Sequence, residues 1–580
     1  MTNTGRSTGQ SKEQHHGRSE LSSSVGPKGA GVSATASVRV QELLSRFGSP
    51  EACAAELLCD LHPADDVAFT VIEADLSARD LTFGELRRDS ARFAAALAGI
   101  GVGPGDAVAV LMGKSADLIV ALLGIWRRGA VHVPLFTAFA PPAIALRLTA
   151  SAAKAVVVDA DQRDKLVPGE DMPADAPWQI VVAGGQPAEG ELSFDRLLGA
   201  YRGDEPEGRA VALGGNAVLV QLFTSGTTGT PKSVPVPVKA LASFQAYLEY
   251  GLDVRRDDVF WNAADPGWAY GLYYAILGPL AAGRRSLLLH SGFSAPITWQ
   301  VMREFGVTNF TAAPTVYRSL RSAPEPVPDG VRLRIASSAG EPLTPEVITW
   351  AEQTLGVPVR DHYGQTEHGM VIVNGWAEDV RSAVRPGSMG RPLPGWSAEI
   401  LYDARDEPAP AGTAGRVAIR AEDSPLMWFS GYTGAPEKTA ERFTGDGRWY
   451  LTGDAGTRDE EGYFYFSARD DDVIIMAGYR IGPFDVESVL LQHELVTDVA
   501  VVGVPDELRG EVLEAFVVLR PGADGDDQLA DELKKLVKSR FAAHAYPRTV
   551  HFADQLPKTP SGKIQRYVLR KQRRDELYGH

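Results

Sequence analysis

From Leu81 onward, short aliphatic and β-branched runs alternate with longer stretches whose apolar positions recur at helical spacing. Residues 107–111, 131–134 and 155–158 read as strands, with 118–127 and 142–152 between them as helices. This alternation predicts parallel strands joined by covering helices, because a parallel connection must carry the chain back along the sheet. The rhythm returns through 284–289, 301–311 and 334–339. After about Gly395 it gives way to short strands and tight turns, at 398–402 and 415–421, which predicts a β-rich subdomain. Strand-like runs at 498–504 and 513–519, then an amphipathic helix over 528–543, predict a compact closing domain. The expected class is α/β. Residues 38–470 form a large N-terminal domain of parallel-rich sheets covered by helices plus the β-rich subdomain, and 471–580 a small mobile α+β domain.

With 580 residues and 44% hydrophobic composition, the chain can bury more than one core. Its formal charge of -16 removes the electrostatic attraction that nucleic acids or anionic membranes need, so an anionic ligand has to be held locally. The apolar stretch 118–126 is too short to cross a bilayer and is bracketed by Asp117 and Arg127, so it reads as a buried helix. Cys53 and Cys59 are the only cysteines, too few for a disulfide scaffold, which points to a reducing, cytoplasmic setting. Residues 1–37 are rich in Ser, Gly, Thr and Lys and poor in large apolar side chains, so a disordered tail is expected there. They lack the apolar core of a secretory signal.

The run Thr224-Ser225-Gly226-Thr227-Thr228-Gly229-Thr230-Pro231-Lys232-Ser233-Val234 follows an apolar strand at 218–223. Gly226 and Gly229 let backbone N–H groups turn toward an anion. The hydroxyls of Thr224, Ser225, Thr227 and Thr228 add donors, and Lys232 supplies a point charge. Such a loop, at the C-terminal end of a strand, lies where open α/β sheets bind ligands. Neither G-x-x-x-x-G-K-[ST] nor G-x-G-x-x-G occurs in the chain, which removes the usual support for P-loop or dinucleotide binding. Taken alone, the composition also fits a flexible linker.

Four further clusters carry chemistry. Ser338-Ala339-Gly340-Glu341-Pro342 follows a buried strand, and residues just beyond it also fit a helix start. Asp361-His362-Tyr363-Gly364-Gln365-Thr366-Glu367 combines a ring for stacking, amide and hydroxyl donors, and a carboxylate able to take Mg²⁺; a plain polar loop would share that make-up. Tyr450-Leu451-Thr452-Gly453-Asp454 ends a short strand with a carboxylate suited to two ribose hydroxyls. Pro557-Lys558-Thr559-Pro560-Ser561-Gly562-Lys563 sets a lysine on an exposed loop. Arg469-Asp470-Asp471-Asp472, at the entrance to the last domain, suits a hinge or an ordinary polar turn.

In this order and approximate spacing, over roughly residues 60–572, these motifs resemble the acyl-adenylate-forming superfamily of acyl-CoA synthetases, peptide-synthetase adenylation domains and luciferases. Phe260-Trp261-Asn262, Asp265-Pro266-Gly267-Trp268 and Ala477-Gly478-Tyr479-Arg480-Ile481-Gly482-Pro483 look most like the acetyl-CoA and medium-chain acyl-CoA synthetase branch. The linker reading of the first loop falls away. The resemblance implies that Thr224, Ser225, Gly226, Thr227, Thr228, Gly229 and Lys232 cradle the β- and γ-phosphates of ATP, and that Glu367 binds Mg²⁺. It places Gly340, Glu341 and Pro342 with Asp361, His362, Tyr363, Gly364 and Gln365 around adenine. Thr366 would approach the α-phosphate, and Asp454 and Arg469 the ribose. Lys563 would bridge the attacking carboxylate and the α-phosphate, with Thr366 and Glu367 as the other catalytic residues.

The resemblance further implies that the C-terminal domain rotates about Asp471 as a lid. Gly478, Tyr479 and Arg480 would then meet coenzyme A. Trp268, Ala269, Tyr270, Ala339 and Gly364 map to the acyl pocket. Gly364 stands where acetyl-CoA synthetases carry a Trp that blocks the pocket floor, so an acid longer than propionate is expected and Gly364→Trp should alter chain-length preference. The bulky Tyr270 can refill the volume that Gly364 opens, so the chain length stays open. The reaction implied is carboxylate, ATP and CoA to acyl-CoA, AMP and pyrophosphate. The alternatives are transfer of the acyl group to a carrier-protein thiol or an amine, and a silent nucleotide-binding protein. Acetylation of Lys563 would remove its charge, which makes a lysine acetyltransferase a candidate partner.

Overall fold

A computed structural model describes residues 34–224, 231–469, 472–476, 479–506, 509–542, 545–559 and 563–579. Among them the expected alternation becomes three sheets. In the first, seven strands lie in the order Leu192–Ser193, Gln179–Ala183, Ala155–Asp159, Ala107–Leu111, Val131–Pro134, Val218–Thr224 and Lys232–Pro237. Neighbours are parallel except the last two, which pair antiparallel with Thr224 facing Lys232. The described ends of the 224–234 segment, Thr224 and 232–234, are therefore strand residues of one antiparallel pair.

Local chemistry sets the covering helices. Thr82 opens Phe83–Gly99 with a reciprocal capping box: its hydroxyl accepts from Glu85 N while the Glu85 carboxylate accepts from Thr82 N. Ser115 caps Ala116–Arg127. That helix is apolar almost all round, and its residues 118–127 are all buried, as the charge bracketing predicts. The buried Arg127 keeps its charge paired through two hydrogen bonds to Asp60, 2.9 and 2.5 Å, with a third to Ser90.

The second sheet has thirteen strands. Its parallel centre runs from Val67–Glu73 through Ser286–His290, Phe260–Asn262, Asn309–Ala312 and Ile335–Ala339 to Val359–Gln365. The β-rich segment expected after Gly395 continues this sheet. Gly369–Val373 and Ser388–Pro392 lead antiparallel into Phe464–Arg469, Trp449–Arg458, Gly415–Arg420 and Ala398–Leu401.

The third sheet joins Tyr479–Ile481, Ile474–Met476, Gly510–Leu519, Val496–Asp506 and Thr549–Phe552. Helices Pro483–Leu490 and Asp527–Arg540 cover it, and Ile474, Val499, Val517, Leu533 and Val537 form part of its own core. The boundary expected at 470/471 falls outside the described residues.

The N-terminal tail needs one correction. A helix already begins within it, Ala34–Phe47, because Ala36, Val40, Leu43 and Phe47 recur on one buried face. Arg39 adds a bidentate contact to Glu249, 2.8 and 3.0 Å. Cys53 and Cys59 are free and buried. Among the described residues, no helix is long and apolar enough to cross a membrane.

Candidate functional site

Strand register assembles most of the site. Ile335–Ala339 and Val359–Gln365 run parallel with Ser338 beside Asp361 and Ala339 beside His362, so two motifs far apart in sequence end at one sheet edge. Gly340 leaves its strand with φ of +101°, a conformation that favours glycine, and the helix Pro345–Leu355 follows. Glu341 turns toward a partner that the motifs do not reveal. Arg318 donates to it at 3.0 Å and the Thr315 hydroxyl lies 3.1 Å away, both from helix Pro314–Ser322.

Asp454 lies within Trp449–Arg458, a strand that runs on past it rather than ending there. The antiparallel pairing sets Asp454 directly opposite Arg469. Its Oδ2 accepts from the Tyr363 hydroxyl at 2.5 Å and from Gln365 Nε2 at 2.7 Å. Gln365 also donates to Thr452 O at 2.9 Å. The carboxylate is thereby aimed before any ligand arrives, and the ring of Tyr363 is held half-buried beside it.

Glu367 is buried and its Oε1 accepts from the Tyr432 hydroxyl at 2.7 Å. Arg442 Nε donates to the same Tyr432 oxygen at 3.2 Å, and the Lys232 ammonium lies 5.1 Å from the Tyr432 ring centre. Burial lowers the Lys232 pKa and Arg442 adds to that, while Glu367 opposes both. Tyr432 thus ties the loop cation to the candidate metal carboxylate. Sequence motifs missed it because its partners lie far off in the chain. Tyr273 fixes the segment between by donating to Thr366 O at 3.0 Å.

Asp361 and His362 are buried. Burial pushes the Asp361 carboxyl up to about 8, and its Oδ2 accepts from Leu343 N. Burial also drives His362 down to about 3. Its Nδ1 lies 2.7 Å from the Tyr247 hydroxyl and its Nε2 3.3 Å from Asn374 O, so neither ring nitrogen is left for a nucleobase. Tyr247 in turn meets the Tyr270 hydroxyl at 2.8 Å.

Trp268, Ala269 and Tyr270 follow one another where the short helix Ala269–Gly271 begins, and each is half-buried. The Trp268 ring centre lies 5.3 Å from Phe136 and 6.2 Å from Phe139, and Tyr270 lies 5.1 Å from Tyr274. Ala339 is buried at the adjoining strand end. The expectation for Gly364 needs correcting. A Cβ there would sit 2.1 Å from Gly369 O and 2.7 Å from Met370 Cα, so neighbouring backbone requires the glycine and a Trp cannot simply be added. Gly364→Ala should destabilise the protein by about 1–3 kcal/mol through overpacking, seen as a lower unfolding midpoint. An unchanged midpoint would contradict this close approach.

Lys563 comes from the other end of the chain. Its loop is cross-tied: Thr559 N donates to Lys563 O at 2.7 Å, Lys563 N to Thr559 Oγ1 at 3.1 Å, and Gln565 N to Pro557 O at 2.8 Å. The residue stays open to solvent, yet surrounding protein lowers its pKa. Glu341, Asp454 and Glu367 oppose that lowering and Arg469 adds to it, so Lys563 lies within electrostatic reach of the residues gathered above. Ser225, Gly226, Thr227, Thr228, Gly229, Asp471 and Gly478 lie outside the described residues, as do the side chains of Tyr479 and Arg480.

The donors present fit Mg²⁺. Among the described residues no three His, Cys, Asp or Glu side chains converge on a metal position. A hard cation that arrives with nucleotide phosphates needs only one or two protein carboxylates, and Glu367 offers one.

Comparison with known proteins identifies the family. The AMP-binding enzyme family model matches residues 59–433, and the AMP-binding enzyme C-terminal domain model matches residues 485–563. The chain is 36% identical over 503 residues to acetyl-coenzyme A synthetase of Bacillus subtilis (strain 168), covering 84% of each chain. It is 35% identical over 479 residues to the mitochondrial acyl-coenzyme A synthetase ACSM3 of Rattus norvegicus, covering 80% of each. Among solved structures, Brucella canis acyl-CoA synthetase shares 41% identity with a TM-score of 0.71, covering 93% of this chain and 97% of that one. A benzoate CoA ligase from Burkholderia xenovorans LB400 shares 31% identity with a TM-score of 0.78, covering 90% and 100%. The first model spans Lys232, Glu341, Tyr363, Glu367 and Tyr432 and the second spans Lys563, with Asp454 and Arg469 between the two matches, and the chain belongs to the AMP-binding enzyme family.

Proposed function

We propose that the protein is an AMP-forming acid–thiol ligase that converts a carboxylic acid larger than propionate, with ATP and coenzyme A, to its acyl-CoA. The observation that carries this reading is the position of Lys563, a cation of the C-terminal domain within electrostatic reach of Glu341, Glu367, Asp454 and Arg469.

A carboxylate is a poor electrophile. In the first step its oxygen bonds to the α-phosphorus of ATP while the bond to pyrophosphate breaks. The nucleophile is already an anion, so no base is required, and orientation with charge stabilisation carries the step. Lys232 and the 224–230 loop hold the departing phosphates. Asp454, aimed by Tyr363 and Gln365, holds the ribose with Arg469. Glu367, aimed by Tyr432, would hold Mg²⁺, which would neutralise phosphate charge there. Glu341, fixed by Arg318, shapes the adenine site from its backbone turn. In the second step the CoA sulfur bonds to the acyl carbon, the bond to AMP breaks, and the thiol proton is released. Lys563 has to withdraw for this, and Asp471 is the expected pivot.

The rings of Trp268, Phe136 and Phe139 give the acyl region apolar walls, which supports an acid with more apolar surface than acetate. The test is to incubate the protein with ATP, Mg²⁺, CoA and a panel of aliphatic and aromatic acids. The expected result is AMP and acyl-CoA in equal amounts, with kcat/KM for the best acid at least about tenfold above acetate. AMP and pyrophosphate without acyl-CoA would instead favour a carrier-protein thiol or an amine as acceptor. No AMP with any acid would overturn the reading.

A further inference from the structure

Behind Glu367, the direction of the hydrogen bonds is fixed by a residue that belongs to none of the sequence motifs. Arg442 Nε donates to the Tyr432 oxygen at 3.2 Å. A guanidinium cannot accept, and a tyrosine hydroxyl has one proton. That proton therefore goes to the other partner, Glu367 Oε1, 2.7 Å away. Tyr432 and Glu367 are both buried, so protein partners set this direction. Oε1 is thereby committed to the protein, whereas Oε2 accepts no hydrogen bond among the described residues.

Arg442 is itself held at two points. Its carbonyl oxygen accepts from Leu451 N at 2.7 Å, and its Nη1 donates to Thr452 O at 3.1 Å. Both partners lie in Trp449–Arg458, the strand that carries Asp454. The Thr452 carbonyl is shared, because Gln365 Nε2 donates to it at 2.9 Å and also to Asp454 Oδ2 at 2.7 Å. One carbonyl steadies two donors, and each leads on to a different carboxylate. Gln365 leads to Asp454, and Arg442 leads through Tyr432 to Glu367. The charge of Glu367 in turn reaches Lys232 and, from the closing domain, Lys563.

We infer that Arg442 is a positioning residue for the metal carboxylate: acting through Tyr432, it keeps one oxygen of Glu367 bound to the protein and leaves the other to a divalent cation. This rests on the proposed acyl-CoA synthetase reading, in which Glu367 takes Mg²⁺ with ATP. Without the guanidinium the Tyr432 hydroxyl is free to turn, and Glu367 loses the donor that aims it.

The test measures ATP binding by equilibrium dialysis with no acid present, once with Mg²⁺ and once with EDTA. In the wild type, Mg²⁺ should tighten ATP binding. Arg442→Met and Tyr432→Phe should each shrink that Mg²⁺ factor by about three- to tenfold, with binding in EDTA unchanged. The double variant should lose no more than either single one, because the two residues act along one path. The preference for ATP over 2′-deoxy-ATP reads the Asp454 arm, and it should survive Arg442→Met but weaken in Gln365→Ala. Affinity comes from the shape of the isotherm, so a misfolded fraction lowers capacity and leaves the ratios alone. Equal weakening with Mg²⁺ and with EDTA would make Arg442 a brace of the fold and overturn the inference. So would the absence of any Mg²⁺ effect in the wild type, a Mg²⁺ factor unmoved by both substitutions, additive losses in the double variant, or a ribose preference lost with Arg442→Met. Wild-type protein that binds no ATP under either condition would overturn the underlying reading and this inference with it.

Discussion

Lys563→Ala should slow acyl-adenylate formation by about 10²–10³-fold while leaving thioester formation from supplied acyl-adenylate within about threefold. In the proposed step the ammonium meets negative charge that builds on the α-phosphate oxygens as the carboxylate oxygen bonds to phosphorus, so its loss falls on the rate of the first step. The second step has its own demand, since the thiol must reach the carbonyl from a site that Lys563 has left. Half-reaction rates separate the two. Equal losses in both would show that Lys563 is a structural anchor of its loop, not a transition-state ligand. A pH dependence follows with a definite sign. The useful form is the cation, and the surroundings lower its pKa, so adenylation should fall as pH rises through a value below that of an ordinary lysine. Thioester formation should lack that alkaline limb.

Arg566→Met should be the most damaging change outside the ligand-facing residues. Arg566 donates to both Glu487 oxygens at 2.8 and 2.7 Å and reaches Asp472 at 3.5 Å, while Arg570 donates to Asp472 at 2.7 Å. Glu487 is nearly buried, and it also accepts from Val501 N. Removing the guanidinium leaves that carboxylate under-paired, which costs about 2–4 kcal/mol given the partial exposure of Arg566. The effect also reaches function. Arg566 follows Lys563 closely and binds the chain just beyond the expected pivot, so it couples the catalytic loop to the hinge. Thermal unfolding should show a lower midpoint, and adenylation should fall further than thioester formation. Glu487→Gln in the same chain should recover much of the stability by removing the stranded charge. A double variant no more stable than Arg566→Met would contradict this origin.

The fold was legible where a pattern is local. Helix-spaced and strand-spaced apolar runs marked the parallel sheets, because burial on one face leaves that period in the sequence. Only the start of the helix Ala34–Phe47 was misread, as the end of the tail, because its small and polar residues hide a narrow buried stripe. The β-rich segment reads as separate in sequence, yet Ser388–Pro392 hydrogen-bonds it to the main sheet, and strand partners are not written into a strand's own residues.

The site divides the same way. Backbone-shaping and charged motif residues are visible because their chemistry sits in a few adjacent positions. The contacts that aim them are not. Tyr432 meets Glu367 and Arg318 meets Glu341 only because the chain folds, and the register that sets Asp454 opposite Arg469 depends on a turn between two strands. Gly364 shows the converse. Its small size read as room for substrate, while the space a side chain would take is occupied by the backbone of Gly369 and Met370.

The central claim is that the carboxylate attacks the α-phosphorus of ATP. It is tested most directly by supplying the acid with isotopically labelled carboxylate oxygens and locating the label by mass spectrometry. One labelled oxygen should appear in AMP for each acyl-CoA formed, because the oxygen that bonds to phosphorus leaves with AMP when sulfur takes its place. Label in pyrophosphate or inorganic phosphate, with unlabelled AMP, would contradict it.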